Sequence, residues 1–283
     1  MQGKNILKSL MLIFAAGLTA CQPATDTEGP PSTEPDAVSP AAALDLSRFE
    51  VVDLTHPFDE DTLYWPTEER GFELEVLHHD FTDDGYFYSA MRFCTAEHGG
   101  THLDAPIHFA EGMHSTEEIP LEQLIGPAVV IDVTDQAADD PDYRLDPEQV
   151  ELHEAEHGQI PEGAIVLLRT GWSRHWPDPL AYLGDDTPGD ASGLRFPSYG
   201  EQAAQFLIDE RRVSVLGVDT ASIDYGQSED FMVHRIAARS NVPGLENLTN
   251  LDHLPPTGAW VIALPMKITD GSGAPLRAVA LLP

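Results

Sequence analysis

Between His98 and His108 the chain reads His-Gly-Gly-Thr-His-Leu-Asp-Ala-Pro-Ile-His, three imidazoles and a carboxylate in eleven residues. Two glycines and a proline punctuate it. Gly99 and Gly100 let the backbone turn tightly, so that His98 and His102 can converge without a helix. Pro106 stops any helix and fixes the path towards His108. Such a density of donors is hard to explain by folding alone. Imidazole and carboxylate together suit zinc or manganese. The bland alternative is a polar turn whose histidines are incidental.

The segments around this string alternate between two periodicities. Phe49 to Thr55 reads as a strand. Phe72 to Leu77 and Tyr86 to Glu97 alternate in polarity and contain Phe, Tyr and Val, which predicts two half-buried antiparallel strands. Thr82-Asp83-Asp84-Gly85 forms the turn between them. On this reading Cys94 is a small core residue rather than a nucleophile. Pro127 to Val133, Ala164 to Thr170 and Val213 to Val218 are short apolar runs, expected as buried strands. Asp146 to His157 reads as a helix, with Asp146 as N-cap, Pro147 at its first position and Gly158 at its end. Tyr199 to Arg211 is an amphipathic helix, and residues 173–197, with four prolines, read as loop. Trp260 to Ile268 and Leu276 to Leu282 close the chain as strands. No internal repeat is present. The mixture predicts an α+β fold with a mixed sheet.

Several motifs, taken in order, resemble the bacterial cyclase family, which includes kynurenine formamidases and isatin hydrolases. That family shows His-x-Gly-Thr-His-x-Asp-x-Pro-x-His, and each fixed position is present from His98 to His108. Asp53-Leu54-Thr55-His56-Pro57, Tyr64-Trp65-Pro66, Leu168-Arg169-Thr170-Gly171-Trp172 and Gly217 to Asp224 resemble further family segments. So does His234 followed twelve residues on by Glu246-Asn247-Leu248. The resemblance covers most of the chain after residue 48. It implies a single swivelling β/β/α domain over residues 47–283, a homodimer, and an enzyme that uses a metal-activated water on an amide-type carbonyl. Carried over residue by residue, His98, His102 and Asp104 bind a first ion. Asp104, His234 and Glu246 hold a second, with Asp104 and Glu246 as bridging residues. His108 matches the catalytic histidine and Trp65 the tryptophan that touches substrate. Tyr64 extends that aromatic wall, with Phe58 or Phe231. Ser222 is expected to relay a proton or touch substrate and Asp219 to orient a ligand histidine, or else both cap the turn after their strand with their own side chains. One or two ions per subunit, Zn2+ or Mn2+, fit this set. The substrate is an arylformamide or a cyclic amide such as N-formylkynurenine or isatin. A lactone or ester hydrolase, or a tethered ligand-binding protein without turnover, is the alternative.

A second histidine motif competes. His153-Glu154-Ala155-Glu156-His157 satisfies the zincin pattern His-Glu-x-x-His. Gly158 and Pro161 end the helix at once, and Glu148, Glu151, Glu154 and Glu156 mark a solvated face. The expectation is therefore two exposed histidines rather than a peptidase site. His56 is placed evenly between facing the pocket and not, and His78, His79 and His114 at the surface.

The N-terminus and the charge bound the setting. Lys4 and Lys8 precede an apolar run from Leu10 to Ala20, too short to span a bilayer and proportioned as a signal peptide. Leu18-Thr19-Ala20-Cys21 resembles a bacterial lipobox, so residues 1–20 are expected to be removed and Cys21 lipidated. Residues 21–46, rich in Pro, Ser, Thr and acid, then form a disordered tether. Gln22 favours the outer membrane, with the domain facing the periplasm. Fifteen basic against 48 acidic residues leave a net charge of −33. That balance excludes nucleic acid and anionic membrane surfaces as partners. Membrane contact is through the lipid alone.

Overall fold

The computed structural model describes residues 45–283. The expected signal peptide, Cys21 and the expected tether up to residue 44 lie outside the described residues. Asp45 accepts the Ser47 amide and so starts a 3-10 turn over Leu46–Arg48. Among the described residues no helix is long and apolar enough to cross a membrane.

Among the described residues, twelve strands and five α-helices follow. The strands are β1 (Glu50–Asp53), β2 (Glu73–Phe81), β3 (Phe87–Cys94), β4 (His102–Asp104), β5 (Ile125–Asp132), β6 (Arg144–Leu145), β7 (Ile165–Arg169), β8 (Ser198–Tyr199), β9 (Val215–Val218), β10 (Gly244–Glu246), β11 (Thr257–Pro265) and β12 (Gly273–Leu282). The helices are α1 (Thr134–Asp139), α2 (Pro147–His157), α3 (Pro179–Leu183), α4 (Glu201–Asp209) and α5 (Met232–Arg239). Eight strands form one mixed sheet in the order β1-β12-β11-β5-β7-β9-β10-β4, and β4 pairs again with β12. The sheet therefore closes on itself, with β1 as an outer strand. The middle pairs β5–β7, β7–β9 and β9–β10 are parallel; the rest are antiparallel.

Burial follows from this closure. Parallel strands are covered on both faces and read as continuous apolar runs, as Ile165–Leu168 and Val215–Val218 do. Ile165 and Leu167 point into the closed sheet with Leu103, Leu245 and Val261. Val166 and Leu168 point outward, where Val150 of α2, Ala203, Ala204, Leu207 and Ile208 of α4, and Val233 and Ala237 of α5 cover them. Helix α2 begins and ends where its caps predict: Asp146 accepts the Gln149 amide, and Gly158 stands past the last turn with φ 91°.

Four expectations are corrected. Residues 173–197 are not all loop: Asp178 caps α3 by accepting the Ala181 amide, and Tyr182, Leu183, Leu194, Phe196 and Trp172 form a small core of their own. The hairpin β2–β3 is antiparallel as expected but not half-buried, because it stands off the main sheet with neither face covered. Cys94 is accordingly exposed, not a core residue. In the zincin-like motif, His157 is exposed but His153 is buried, and Glu154 pairs with Arg211 at 2.6 Å instead of facing water. No third donor completes a metal group with that pair among the described residues.

Candidate metal centre and its pocket

The donor set is assembled by strand register. On β4, His102 and Asp104 are two residues apart and so share a face. Across the antiparallel pair with β10, Glu246 stands opposite His102. His98 arrives from the loop after β3, and His234 from α5. The turn Pro106–His108 supplies the third histidine of the motif. The structure thus brings His98, His102, Asp104, His108, His234 and Glu246 to the wall of one cavity.

Asp104 sits at the centre. Its Oδ1 lies 2.6 Å from His98 Nδ1 and 3.1 Å from His102 Nε2, while its Oδ2 lies 2.9 Å from His234 Nε2. Glu246 divides in the same way, with Oε2 3.5 Å from His102 Nε2 and Oε1 3.2 Å from His234 Nε2. Both carboxylates therefore face two sets of imidazoles. One ligand atom each from His98, Asp104 and His108 also lies within 4.8 Å of the others, and the same holds for His102, Asp104 and Glu246. His108 stands within reach of a ligand position as well as beside it. Its ring stacks on His98 with centroids 3.9 Å apart.

The electrostatics ask for a cation. Burial alone would raise the Asp104 carboxyl, but the His98 charge and the hydrogen bonds from His102, His234 and His98 hold it well below the usual range. Burial alone would lower His102, yet Asp104 and Glu246 lift it to about 9. His234 is likewise lifted well above the usual value by Asp104, Asp224 and Glu246, against its burial. Buried carboxylates need a positive partner, and in this arrangement protons on the imidazoles provide it. A divalent ion fits the same demand, since neutral imidazole nitrogens and carboxylate oxygens converge on it.

His108 behaves differently. The protein packed around it, and the positive charge of neighbouring imidazoles, outweigh Asp104 and hold it down to about 4. The residue is nevertheless partly open to solvent, and with its pKa held down the ring is uncharged at neutral pH and can accept a proton.

Supporting groups orient the donors. His102 Nδ1 donates to the Gly100 carbonyl at 2.9 Å. His234 Nδ1 lies 2.7 Å from Asp224, which also accepts the amides of Val233 and His234. Asp224, and not Asp219, is thus the carboxylate that orients a histidine. Asp219 instead accepts the Thr170 hydroxyl and the amides of Thr170 and Gly171, fixing the turn after β7. Nothing in the sequence distinguishes the two aspartates, because the difference depends on where α5 lands. That helix carries His234 and was not evident from periodicity.

The remaining cavity wall is apolar. Trp65, Tyr64 and Ser222 all line it, joined by Phe109, Phe231 and Leu183. Trp65 and Phe109 lie 6.2 and 5.4 Å from the Phe231 ring. Tyr64 has a second task, since its ring occupies the space a side chain at Gly99 would need, 2.1 Å from an added Cβ. The Ser222 hydroxyl accepts the Asp224 amide at 3.1 Å. His56 stands elsewhere, stacked on Trp176 at 4.3 Å, and does not face this cavity.

A closed mixed sheet that aims buried imidazoles and carboxylates into an apolar cavity, with an uncharged histidine at its mouth, defines a metal-dependent hydrolase. The cyclase family model matches residues 52–225. The isatin hydrolase of Roseibium aggregatum is 36% identical over 255 residues, covering 86% of this chain and 95% of that protein. The kynurenine formamidase of Salinibacter ruber is 28% identical, covering 81% of this chain and 96% of that protein. The structure of isatin hydrolase A from Ralstonia solanacearum superposes with a TM-score of 0.76 at 36% identity, covering 84% and 93% of the two chains. The chain belongs to the cyclase family. Its reaction is the metal-dependent hydrolysis of an amide, at a C–N bond other than a peptide bond.

Proposed function

We propose that the substrate is a cyclic amide fused to an aryl ring, isatin or a close analogue, opened by water at the carbonyl–nitrogen bond. The observation that carries this reading is the junction of the histidine–carboxylate cluster with a small apolar cavity. At about 220 Å³ the cavity is below the roughly 300–1,000 Å³ range of drug-sized sites. It suits one flat ring system, held against Trp65, Phe109 and Phe231 with its carbonyl towards Asp104. The greater identity to an isatin hydrolase, 36% against 28% for the formamidase, favours the cyclic amide over the open arylformamide.

His98, His102 and Asp104 on one side, and His234 and Glu246 on the other, would hold Zn2+ or Mn2+. The two-faced placement of Asp104 and Glu246 supports two ions rather than one. A bound ion supplies Lewis-acid polarisation of the carbonyl and makes water acidic enough to attack near neutral pH. His108 takes the proton from that water and returns it to the departing nitrogen, so that addition of one water and cleavage of one C–N bond balance. Trp65, Tyr64 and Ser222 hold the ring. A ligand-binding protein without turnover has no use for an uncharged histidine stacked on a ligand histidine.

We further propose a homodimer formed through the β2–β3 hairpin. The register places Leu74, Val76, Phe81, Phe87, Met91 and Phe93 on one face of it, and each is about half exposed or more. A lone two-stranded hairpin is marginal in water, and a second copy would cover this face. The lipobox reading of Cys21 places the enzyme on the periplasmic side of the outer membrane, where it would meet externally acquired amides.

The test is metal content by mass spectrometry, with turnover of isatin and N-formylkynurenine before and after chelation. Chelator-sensitive opening of isatin, restored by zinc or manganese, is expected. Faster turnover of N-formylkynurenine would shift the assignment to the arylformamide, and bound metal without turnover of either would overturn both.

A further inference from the structure

The three imidazoles around Asp104 are not held alike. His102 and His234 present Nε2 to the cluster and use Nδ1 for support from Gly100 and Asp224. His98 is reversed: its Nδ1 faces Asp104 at 2.6 Å, and its Nε2 lies 2.9 Å from Ser272 Oγ. Ser272 Oγ lies in turn 2.6 Å from Glu97 Oε2, which also accepts the Ser272 amide at 3.1 Å. The directions follow from the chemistry. A carboxylate only accepts, so the Ser272 hydroxyl donates to Glu97 and its lone pair takes the His98 Nε2–H. The Ser272 contact thereby fixes a proton on His98 Nε2, and Nδ1, which donates to Asp104 in the metal-free cluster, is the nitrogen left to face an ion.

The surrounding backbone leaves room for this chain of contacts. An added Cβ at Gly273 would lie 2.5 Å from His98 Cε1. One at Gly271 would lie 3.1 Å from Glu97 Oε1. Gly273 is also the residue paired with Asp104 across β12 and β4. The two glycines flanking Ser272 therefore seat the hydroxyl, the carboxylate and the imidazole against the strand that carries the central ligand. His108 stacks on the same His98 ring.

We propose that Glu97 and Ser272 are positioning residues of the metal site, a relay that makes Nδ1 the metal-binding nitrogen of His98 and holds the ring on which His108 rests. This inference rests on the reading of His98 as a metal ligand. Supporting groups of this kind typically change metal affinity by about 10–100-fold. The experiment measures Mn2+ and Zn2+ dissociation constants of the full chain by chelator competition, together with the melting temperature of the metal-stripped protein. Ser272→Ala and Glu97→Gln are expected to bind both ions about tenfold or more weakly, with the stripped melting temperature unchanged. Ser272→Thr, which keeps the hydroxyl, restores the affinity. Wild-type affinity in both Ser272→Ala and Glu97→Gln overturns the relay while leaving the metal site standing. A wild-type chain that binds neither ion overturns the metal site itself, and the relay with it. If Ser272→Ala does not fold, Glu97→Gln decides the matter alone.

Discussion

His98 and His108 stack with ring centroids 3.9 Å apart but are held differently. Both rings flank Asp104, but only His98 is tied at both nitrogens. His108→Ala is therefore expected to keep its metal and to lose turnover by about 10²–10⁴-fold. Loss of metal in that variant would make His108 a ligand and leave the reaction without its base. Asp224 acts one step further out, through His234 Nδ1. Asp224→Ala should weaken metal binding by about 10–100-fold, read by competition with a chelator; unchanged affinity would reduce Asp224 to a cap for α5. Phe231 presents a separate case. It stands at φ 51°, where a bulky side chain is strained, immediately before α5. Its ring faces Trp65 and Phe109 across the cavity, so the backbone conformation is kept for the sake of the wall. Asn adopts that conformation more readily. Phe231→Asn should leave the melting temperature level or higher while raising KM for an aryl amide by about tenfold, and an unchanged KM would mean the ring does not touch substrate.

Among the elements, the hairpin β2–β3 is the one that the rest of the protomer leaves bare. Its apolar face is set by alternation, interrupted by an extra residue between Val76 and His78. Met91→Asp places a charge within that face, opposite Val76. It should convert a dimer to a monomer in light scattering with little change in protomer fold, and a variant that stays dimeric would move the interface elsewhere. The hairpin also shows where a sequence stops being informative. Alternation identifies which side chains share a face but not what covers them, so Cys94 and its neighbours read as half-buried. Local chemistry is more legible. Asp146, Pro147 and Gly158 bound α2 because a cap depends on residues three or four apart. The runs in β7 and β9 read as buried strands because parallel strands are covered twice. Closure of β4 onto both β10 and β12 was out of reach, since Gly244 and Gly273 meet Asp104 from far along the chain. The metal motif itself was legible as a cluster of donors. Its supports were not, because Asp224, Ser272 and Glu97 reach the histidines only after the sheet has closed.

At the scale of the whole molecule, the metal site links stability to pH in a direction that the charges determine. In the metal-free cluster, His102 is raised to about 9 and His234 well above its ordinary range, against an ordinary histidine value near 6.5. A group whose pKa is raised on folding binds more protons folded than unfolded. Its stabilisation is fully present below about pH 6.5 and is lost as pH rises through the folded value. The metal-stripped enzyme should therefore lose melting temperature steadily between about pH 6.5 and 9, as the buried carboxylates lose their protonated partners. His56 works in the opposite sense. Burial lowers it to about 4, so protonation favours the unfolded chain as pH falls from about 6.5 towards 4, with or without metal. In the loaded enzyme the ion replaces the protons on His102 and His234, and the alkaline loss should disappear while the acid limb remains. The gap between loaded and stripped melting temperatures then widens from pH 6.5 to 9. Parallel curves over that range would mean that the ion does not occupy the place these protons hold.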